Sequence, residues 1–337
     1  MADLPIERLA VHTPAFHHTA VDYFGPLEVA YGRGRSVKRY GALFTCLTTR
    51  AVYLDLAKSL STEDFLLVLR RFLPFYSKPE SIHSDNGTNF VGAEKELVAP
   101  VGQLNQDPVL AEALKRSAIK WKFQPPSASH FGGAHESLVR VTKLSLYRML
   151  KKENKKLQYP SEDMMRTFLC EVAAILNDRP LVKCSSDPRD YRPLTPNDLL
   201  GKRSGLVLPM SDPKDALPRQ NYLYVQKMAN QFWDLWIKFY LPSLVARRKW
   251  QLKERNFRVG DHVLVVEPNL PRGRWSTGKV TETFPGADGL VRVVTVQTDS
   301  GVSTRPIHRL CLLQPAEDDP SSGSGESPSG EDGASTA

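Results

Sequence analysis

The sequence predicts an α/β protein: a mixed five-stranded sheet with helices on both faces, followed by a helical connector and a small C-terminal β-barrel. Three observations predict it. Between Thr19 and Lys152, β-branched and aromatic runs alternate with stretches of helical periodicity, the succession expected when one sheet is covered by helices. Beyond Pro160 the pattern is helical but cut by prolines. From Gly260 to Leu313 it changes to short runs of alternating apolar residues separated by hairpin signals.

Taken in order, Ala20–Phe24, Tyr40–Thr48 and Ala51–Leu56 read as strands, rich in β-branched and aromatic residues and broken by glycine and polar turns. Ser61 or Thr62 caps the next helix, with Glu63 and Asp64 in its first turn. Phe65, Val68, Leu69 and Phe72 then recur at helical spacing up to Pro74. Ser81–Ser84 is a short strand ending at the turn signal Asp85-Asn86-Gly87. Helices are expected around Phe90–Leu97 and Val109–Arg116, then a strand at Ile119–Phe123. A loop holding Pro125, Pro126, Gly132 and Gly133 leads into a long helix from about His135 to Lys152. This is the order of an RNase H-like core.

The connector runs mostly helical to Leu200, interrupted by Pro180, Pro188, Pro193 and Pro196, and 201–221 is a proline-rich linker. A further helix carries Trp233, Trp236 and Tyr240 at i, i+3 and i+7, the spacing of a packing face. The basic run Arg247, Arg248, Lys249, Lys253, Arg255 and Arg258 follows it. In the barrel, Val263 and Val265, then Val291 and Val293, alternate, with turns at Asp288-Gly289 and Asp299-Ser300-Gly301. The chain therefore divides into an N-terminal extension (1–14), a core (15–158), a connector and linker (159–221), a helix with its basic run (222–259), a β-barrel (260–315) and an acidic tail (316–337). The tail combines Ser, Gly and Pro with six acidic residues and no basic one, a composition expected to be disordered.

Composition narrows the class of function. With 337 residues and 41% apolar content the chain can bury a large core. No apolar stretch approaches the ~20 residues of a membrane span, and the first ten residues do not read as a secretory leader. Neither secretion nor a membrane partner is expected. Cys46, Cys170, Cys184 and Cys311 stand singly, which argues against a disulfide framework and a zinc site and suits a reducing compartment. The formal charge is +8; without the six negative charges of the tail the body carries +14. A basic body points to a polyanionic partner.

Three carboxylates stand out. Asp22 interrupts an apolar strand, where a charge is costly unless it meets a metal or a partner, or faces water at a sheet edge. Asp85 ends a strand at a turn, and Glu136 opens a helix after Gly132-Gly133. Each has an ordinary structural reading on its own, as a turn former or a helix first-turn acid. Together, on three separate elements, they are the hard oxygen donors that two divalent ions need for phosphodiester chemistry. The helix bearing Glu136 has two faces. Glu136, Arg140, Lys143, Tyr147 and Lys151 follow one another at i, i+4, i+7, i+11 and i+15, opposite Leu138, Val139, Leu146, Met149 and Leu150. One face packs, and the other is free either to be solvated or to hold phosphates.

These segments resemble the three acidic motifs of retrotransposon integrases: Val21-Asp22-Tyr23-Phe24-Gly25-Pro26, Ser84-Asp85-Asn86-Gly87-Thr88-Asn89-Phe90 and Gly132-Gly133-Ala134-His135-Glu136. The resemblance is strongest to the BEL/Pao class. Asn177-Asp178-Arg179-Pro180-Leu181 and Leu194-Thr195-Pro196-Asn197-Asp198-Leu199-Leu200 are similar to motifs that follow the core in those elements, and 232–313 looks like their C-terminal SH3-like domain. The resemblance implies that Asp22, Asp85 and Glu136 form the catalytic, metal-binding triad of a DDE polynucleotidyl transferase. It implies two Mg²⁺ or Mn²⁺ ions per site, 3′-end trimming of element DNA by water, and strand transfer by the new 3′ hydroxyls. Asn89 would border the site, and Arg140, Lys143, Tyr147 and Lys151 would meet DNA. Expected partners are DNA ends and target DNA, a second copy of the chain in an active assembly, and chromatin proteins; a nuclear location follows.

Two departures qualify this. Fifty residues separate Asp85 from Glu136, a long gap that surface helices can fill. His12, His17 and His18 have no cysteine before Cys46, so no N-terminal His₂Cys₂ zinc domain, and no zinc, is expected. The barrel has two readings: contact with the DNA backbone through Arg272 and Arg274, supported by Arg247, Arg248 and Lys249, or binding of a chromatin protein. The alternatives to an integrase are a non-catalytic or domesticated nucleic-acid or chromatin-binding protein of the same fold, and a plain nuclease that uses only water.

Overall fold

The computed structural model describes residues 7, 9–10, 12–32, 34–85, 87–103, 119–123, 133–154, 159–183, 193–202, 221–244, 255–267, 272, 274–286 and 288–316. The acidic tail, the expected helix at Val109–Arg116 and most of the linker lie outside them.

Strands β1 (His18–Ala30), β2 (Ser36–Cys46), β3 (Val52–Ala57), β4 (Ser81–Ser84) and β5 (Lys120–Phe123) form one sheet in the order β3-β2-β1-β4-β5. The first three make an antiparallel meander, and β4 and β5 add in parallel beside β1. That mixed order is the RNase H-like arrangement. β1 runs six residues past the expected end at Phe24, because its register with β2 slips between Phe24 and Leu27 and then resumes. Pro26, which has no N–H to give the ladder, falls within that bulge. Gly41 lies opposite Phe24, and a Cβ there would stand 2.0 Å from the Phe24 ring, so the ring can lie across β2 only over a glycine.

Helix α1 (Thr62–Tyr76) starts where Ser61 Oγ accepts the Asp64 N–H at 3.2 Å. It continues two residues beyond Pro74. A proline disrupts the turn before it but leaves later N–H groups able to bond, and the Ser77 N–H closes on the Leu73 carbonyl at 3.0 Å. Helices α2 (Thr88–Gln103), α3 (Gly133–Asn154) and α4 (Glu162–Asn177) follow.

Strand alternation splits the core in two. Val21, Phe44 and Ile82 face α1 and α2, where Phe44 stacks on Phe72 at 4.6 Å and Phe65 meets Phe90 edge-on at 5.0 Å. Leu43, Leu54 and Leu56 face the other way, toward Leu146 and Met149 of α3 and Phe168 and Val172 of α4. Helices thus cover both faces.

The connector departs from the expected helix. After Asn177 the chain makes a minimal ladder of β6 (Val182–Lys183) with β7 (Pro193–Leu194), then one turn of helix, α5 (Pro196–Leu199), closed by a Thr195–Asp198 capping box. Prolines hold the residues before them out of helical geometry. The Asn177-Asp178-Arg179 run is a staple. Asn177 Oδ1 accepts the Val52 N–H and its Nδ2 donates to the Val52 carbonyl, both at 2.8 Å; Arg179 donates to the Leu176 and Arg50 carbonyls; and Asn197 donates to Asp178 at 2.9 Å.

Helix α6 (Asn221–Leu244) buries Phe232, Trp233, Trp236 and Tyr240 against α3 and α4. It leads to β8 (His262–Val265), β9 (Thr277–Pro285), β10 (Val291–Thr298), β11 (Gly301–Pro306) and β12 (Leu310–Gln314), an antiparallel sheet in the order β11-β10-β9-β8-β12. The two expected turns fall between β9 and β10 and between β10 and β11. Trp275 packs on Trp233 at 5.2 Å and on Tyr240 at 6.1 Å, which joins α6 to this sheet. Asp261, fully buried, accepts from Arg255, the Arg258 N–H and the Ala316 N–H, each at 2.9 Å; that satisfies a charge that would otherwise be costly to bury. Among the described residues no helix is long and apolar enough to cross a membrane.

Candidate active site

The site begins with strand register. β1 and β4 pair in parallel as His18 with Ser81, Thr19 with Ile82 and Ala20 with His83. Two residues further, the same register brings Asp22 level with Asp85, the residue that leaves β4 after Ser84. Level residues on neighbouring parallel strands share a face, about 4.8 Å apart. That face is the one toward α3 and α4, because Asp22 pairs across β2 with Leu43 of that core while Val21 belongs to the opposite one.

Local chemistry fixes the Asp85 turn. Ser84 Oγ donates to the Asp85 carbonyl at 2.9 Å and accepts the Trp121 indole N–H at 2.8 Å, tying the end of β4 to β5. Asp85 Oδ1 accepts the Gly87 N–H at 3.0 Å, the turn geometry favoured by Asp. Asn89 follows in the first turn of α2. It is buried, and its Nδ2 has no hydrogen-bond partner. Asp85 and Asn89 crowd Gly87 together: a Cβ at Gly87 would stand 2.7 Å from Asn89 Oδ1 and 3.0 Å from Asp85 Oδ1. Tyr23, next to Asp22 but on the other face, packs on Phe90 at 5.5 Å, so β1 and the start of α2 move as one piece.

α3 crosses above this pair. Lys143 Nζ forms an ion pair with Asp22 Oδ2, the side chains 29% and 40% exposed. Glu136 occupies the first turn of α3, seven residues before Lys143, about 10 Å along the axis. The Glu136 side chain lies outside the described residues, and among those described no three acidic, His or Cys side chains group as metal ligands. The donors present fit a hard divalent ion: two solvent-reachable carboxylates held level on rigid strands, beside a buried amide with unused hydrogen-bonding capacity.

The remaining expected contacts separate. Arg140, Tyr147 and Lys151 are exposed on α3, with the Lys151 ammonium 5.8 Å from the Tyr147 ring centroid. Lys143 is engaged by Asp22. A cleft of about 500 Å³ runs between Tyr23–Leu27 of β1 and Lys143, Tyr147 and Lys151 of α3; the sequence signalled its cationic wall but not its floor, which depends on how α3 docks. Arg274 is exposed, while Arg247, Arg248 and Lys249 lie outside the described residues. Arg272 is a correction. Its side chain is 1% exposed, donates to Gln226 at 2.7 Å, and burial pulls its guanidinium below the ordinary value, so it offers nothing to a DNA backbone.

The histidines before β2 have sheet partners. His17 Nε2 pairs with Glu80 at 2.7 Å, and His18 Nδ1 lies 2.8 Å from Ser81 Oγ, which also lies 3.2 Å from His83 Nε2. Burial, then the neighbouring His17, holds the His18 imidazolium below its usual range.

Comparison with known proteins adds three findings. A family model described as "Family of unknown function (DUF5641)" matches residues 220–313, the stretch spanning α6 and the antiparallel sheet that Trp275 joins. No curated protein matches the chain. Among solved structures, the chain is similar to a simian T-cell lymphotropic virus intasome in complex with PP2A regulatory subunit B56 gamma, at 11% identity and a TM-score of 0.35, over 89% of this chain and 79% of that one. It is also similar to the HTLV-2 integrase catalytic core domain in complex with magnesium, at 15% identity and a TM-score of 0.31, over 50% of this chain and 90% of that one.

Proposed function

We propose that the chain is a metal-dependent polynucleotidyl transferase of the integrase kind, derived from a BEL/Pao-like retrotransposon, that processes 3′ ends of DNA and joins them to a target. The observation that carries this reading is the β1–β4 register, which brings Asp22 level with Asp85 beneath the helix whose first turn holds Glu136. Asp22, Asp85 and Glu136 would hold two Mg²⁺ or Mn²⁺ ions. Bound there, the ions would lower the pKa of the attacking water or 3′ hydroxyl and stabilise the leaving oxygen. The protein residues position. Gly87 and the Ser84–Trp121 bond set the Asp85 carboxylate, and Asn89 lends an amide at the border. Arg140 and Lys151 hold phosphates along α3 and Tyr147 offers a ring for a base. Lys143 neutralises Asp22 until that carboxylate is needed for metal.

The Asp22–Lys143 pair favours a second reading, a non-catalytic DNA- or chromatin-binding protein in which Asp22 serves only as a lysine partner. One experiment separates the two. The full chain is incubated with blunt element-end DNA and Mg²⁺ or Mn²⁺, beside Asp85→Asn and Glu136→Gln. Joined products lost in both variants support the transferase. Cleavage without joining indicates a nuclease, and DNA binding without turnover removes both enzymatic readings.

A further inference from the structure

At the free edge of β3, away from the carboxylates, the end of α1, α4 and the residues around α5 enclose a cavity of about 510 Å³, a size that holds drug-sized ligands. It shares no lining residue with the site above. Its walls include Val52, Leu54, Phe75 and Ile175, and Arg272 reaches it from the segment between β8 and β9.

Arg272 is the unusual element. Its side chain is 1% exposed, and only Nη2 is engaged, donating to Gln226 Oε1 at 2.7 Å. Glu171 Oε2 stands 3.6 Å from Nη2, too far for a hydrogen bond. Nε and Nη1 are buried without a partner. Unused donors on a buried cation are costly and call for an acceptor. At the rim, Lys202 Nζ lies 3.3 Å from the Tyr76 hydroxyl. Two cations, Arg272 and Lys202, face two carboxylates, Glu171 and Asp178, and Asp178 already accepts from Asn197. That balance accommodates one added negative charge and disfavours a polyphosphate.

We propose that this cavity binds a small monocarboxylic acid with an aromatic or aliphatic body, its carboxylate accepting from the unused donors of Arg272 and its body lying against Val52, Leu54 and Phe75. Because Arg272 comes from the C-terminal unit and the remaining walls from the core and connector, such a ligand bridges them.

The test uses the full chain with indole-3-butyrate and its uncharged primary amide, by calorimetric titration. A hydrogen bond to a charged group sets the expectation that the acid binds at least about tenfold more tightly than the amide. Arg272→Met removes that preference. Phe75 is 69% exposed at the rim, so Phe75→Ala spares folding and weakens both probes. A second readout reports the place: Cys170 lines the cavity and is exposed while Cys46 and Cys311 are buried, so in a Cys184→Ser background the acid slows maleimide labelling of Cys170. Equal affinity for acid and amide, unchanged Cys170 labelling, or undiminished binding by a folded Arg272→Met protein overturns the proposal. If Arg272→Met does not fold, the acid–amide comparison, Phe75→Ala and the Cys170 readout still decide it.

Discussion

Asp22 is held either for its metal or for its lysine, and stability measurements distinguish the two. The Asp22–Lys143 pair is partly exposed, at 40% and 29%. Solvent screens such pairs, which contribute about 0.2–1 kcal/mol. Asp22→Asn should therefore lower unfolding free energy by no more than about 1 kcal/mol, and a double-mutant cycle with Lys143→Met should give a coupling within the same bound. The pair also competes with metal. Displacing the ammonium costs the metal whatever the pair is worth, so Lys143→Met should tighten Mg²⁺ binding, by at most about fivefold given that 1.4 kcal/mol is tenfold. Asp22→Asn should abolish Mg²⁺ binding while leaving the fold intact. Urea titration and Mg²⁺ calorimetry on the four proteins measure both quantities. A loss above about 2 kcal/mol for Asp22→Asn, with Mg²⁺ binding unchanged, would show that the carboxylate is a structural ion-pair partner and refute the metal assignment.

Other outcomes follow from the same geometry. Asn177→Ala leaves the Val52 N–H and carbonyl buried without their 2.8 Å partners, and at 1–3 kcal/mol per orphaned group a loss of about 2–4 kcal/mol is expected. The urea midpoint should fall at constant m-value, and a change below about 1 kcal/mol would mean that the staple is dispensable. Gly87→Ala forces the Asp85 and Asn89 oxygens to move, 3.0 and 2.7 Å from the new Cβ. Because both are side-chain ends, thermal stability should change little while Mg²⁺ affinity drops, and unaltered affinity would remove Asp85 from the metal site. His18 is held below its ordinary 6.5, so the unfolded chain binds its proton first as pH falls. Its contribution is present above pH 6.5 and is lost as pH drops through the lowered folded value. His18→Gln should flatten the stability–pH curve over that interval, and an unchanged slope would assign the loss to other groups.

How much was legible beforehand differs by element. The strands and α1 were readable because their signals are local: β-branched runs, a Ser61 cap, apolar residues every third or fourth position. The end of β1 was not, because continuing through Gly25-Pro26 depends on pairing with β2 and on the space above Gly41. The connector was misread as helix because its apolar content suits either state, and the ladder of β6 with β7 exists only through a pairing between distant segments. Arg272 looked like a surface cation since its neighbours are polar and glycine-rich; α6 and α4, far away in sequence, bury it.

By itself the sequence determined which residue types could act: three carboxylates in separate elements, a cationic face along α3, a basic body and an apolar stripe on α6. Those are properties of composition and period, which a chain carries before it folds. Only the tertiary structure decided which of them meet. Parallel register of β1 with β4 brings Asp22 level with Asp85, docking of α3 sets Lys143 on Asp22, and packing of the C-terminal unit on the core turns Arg272 inward. Each is a contact between residues far apart along the chain, set by which apolar faces bury together, and burial of a face is a property of the assembled core rather than of any segment.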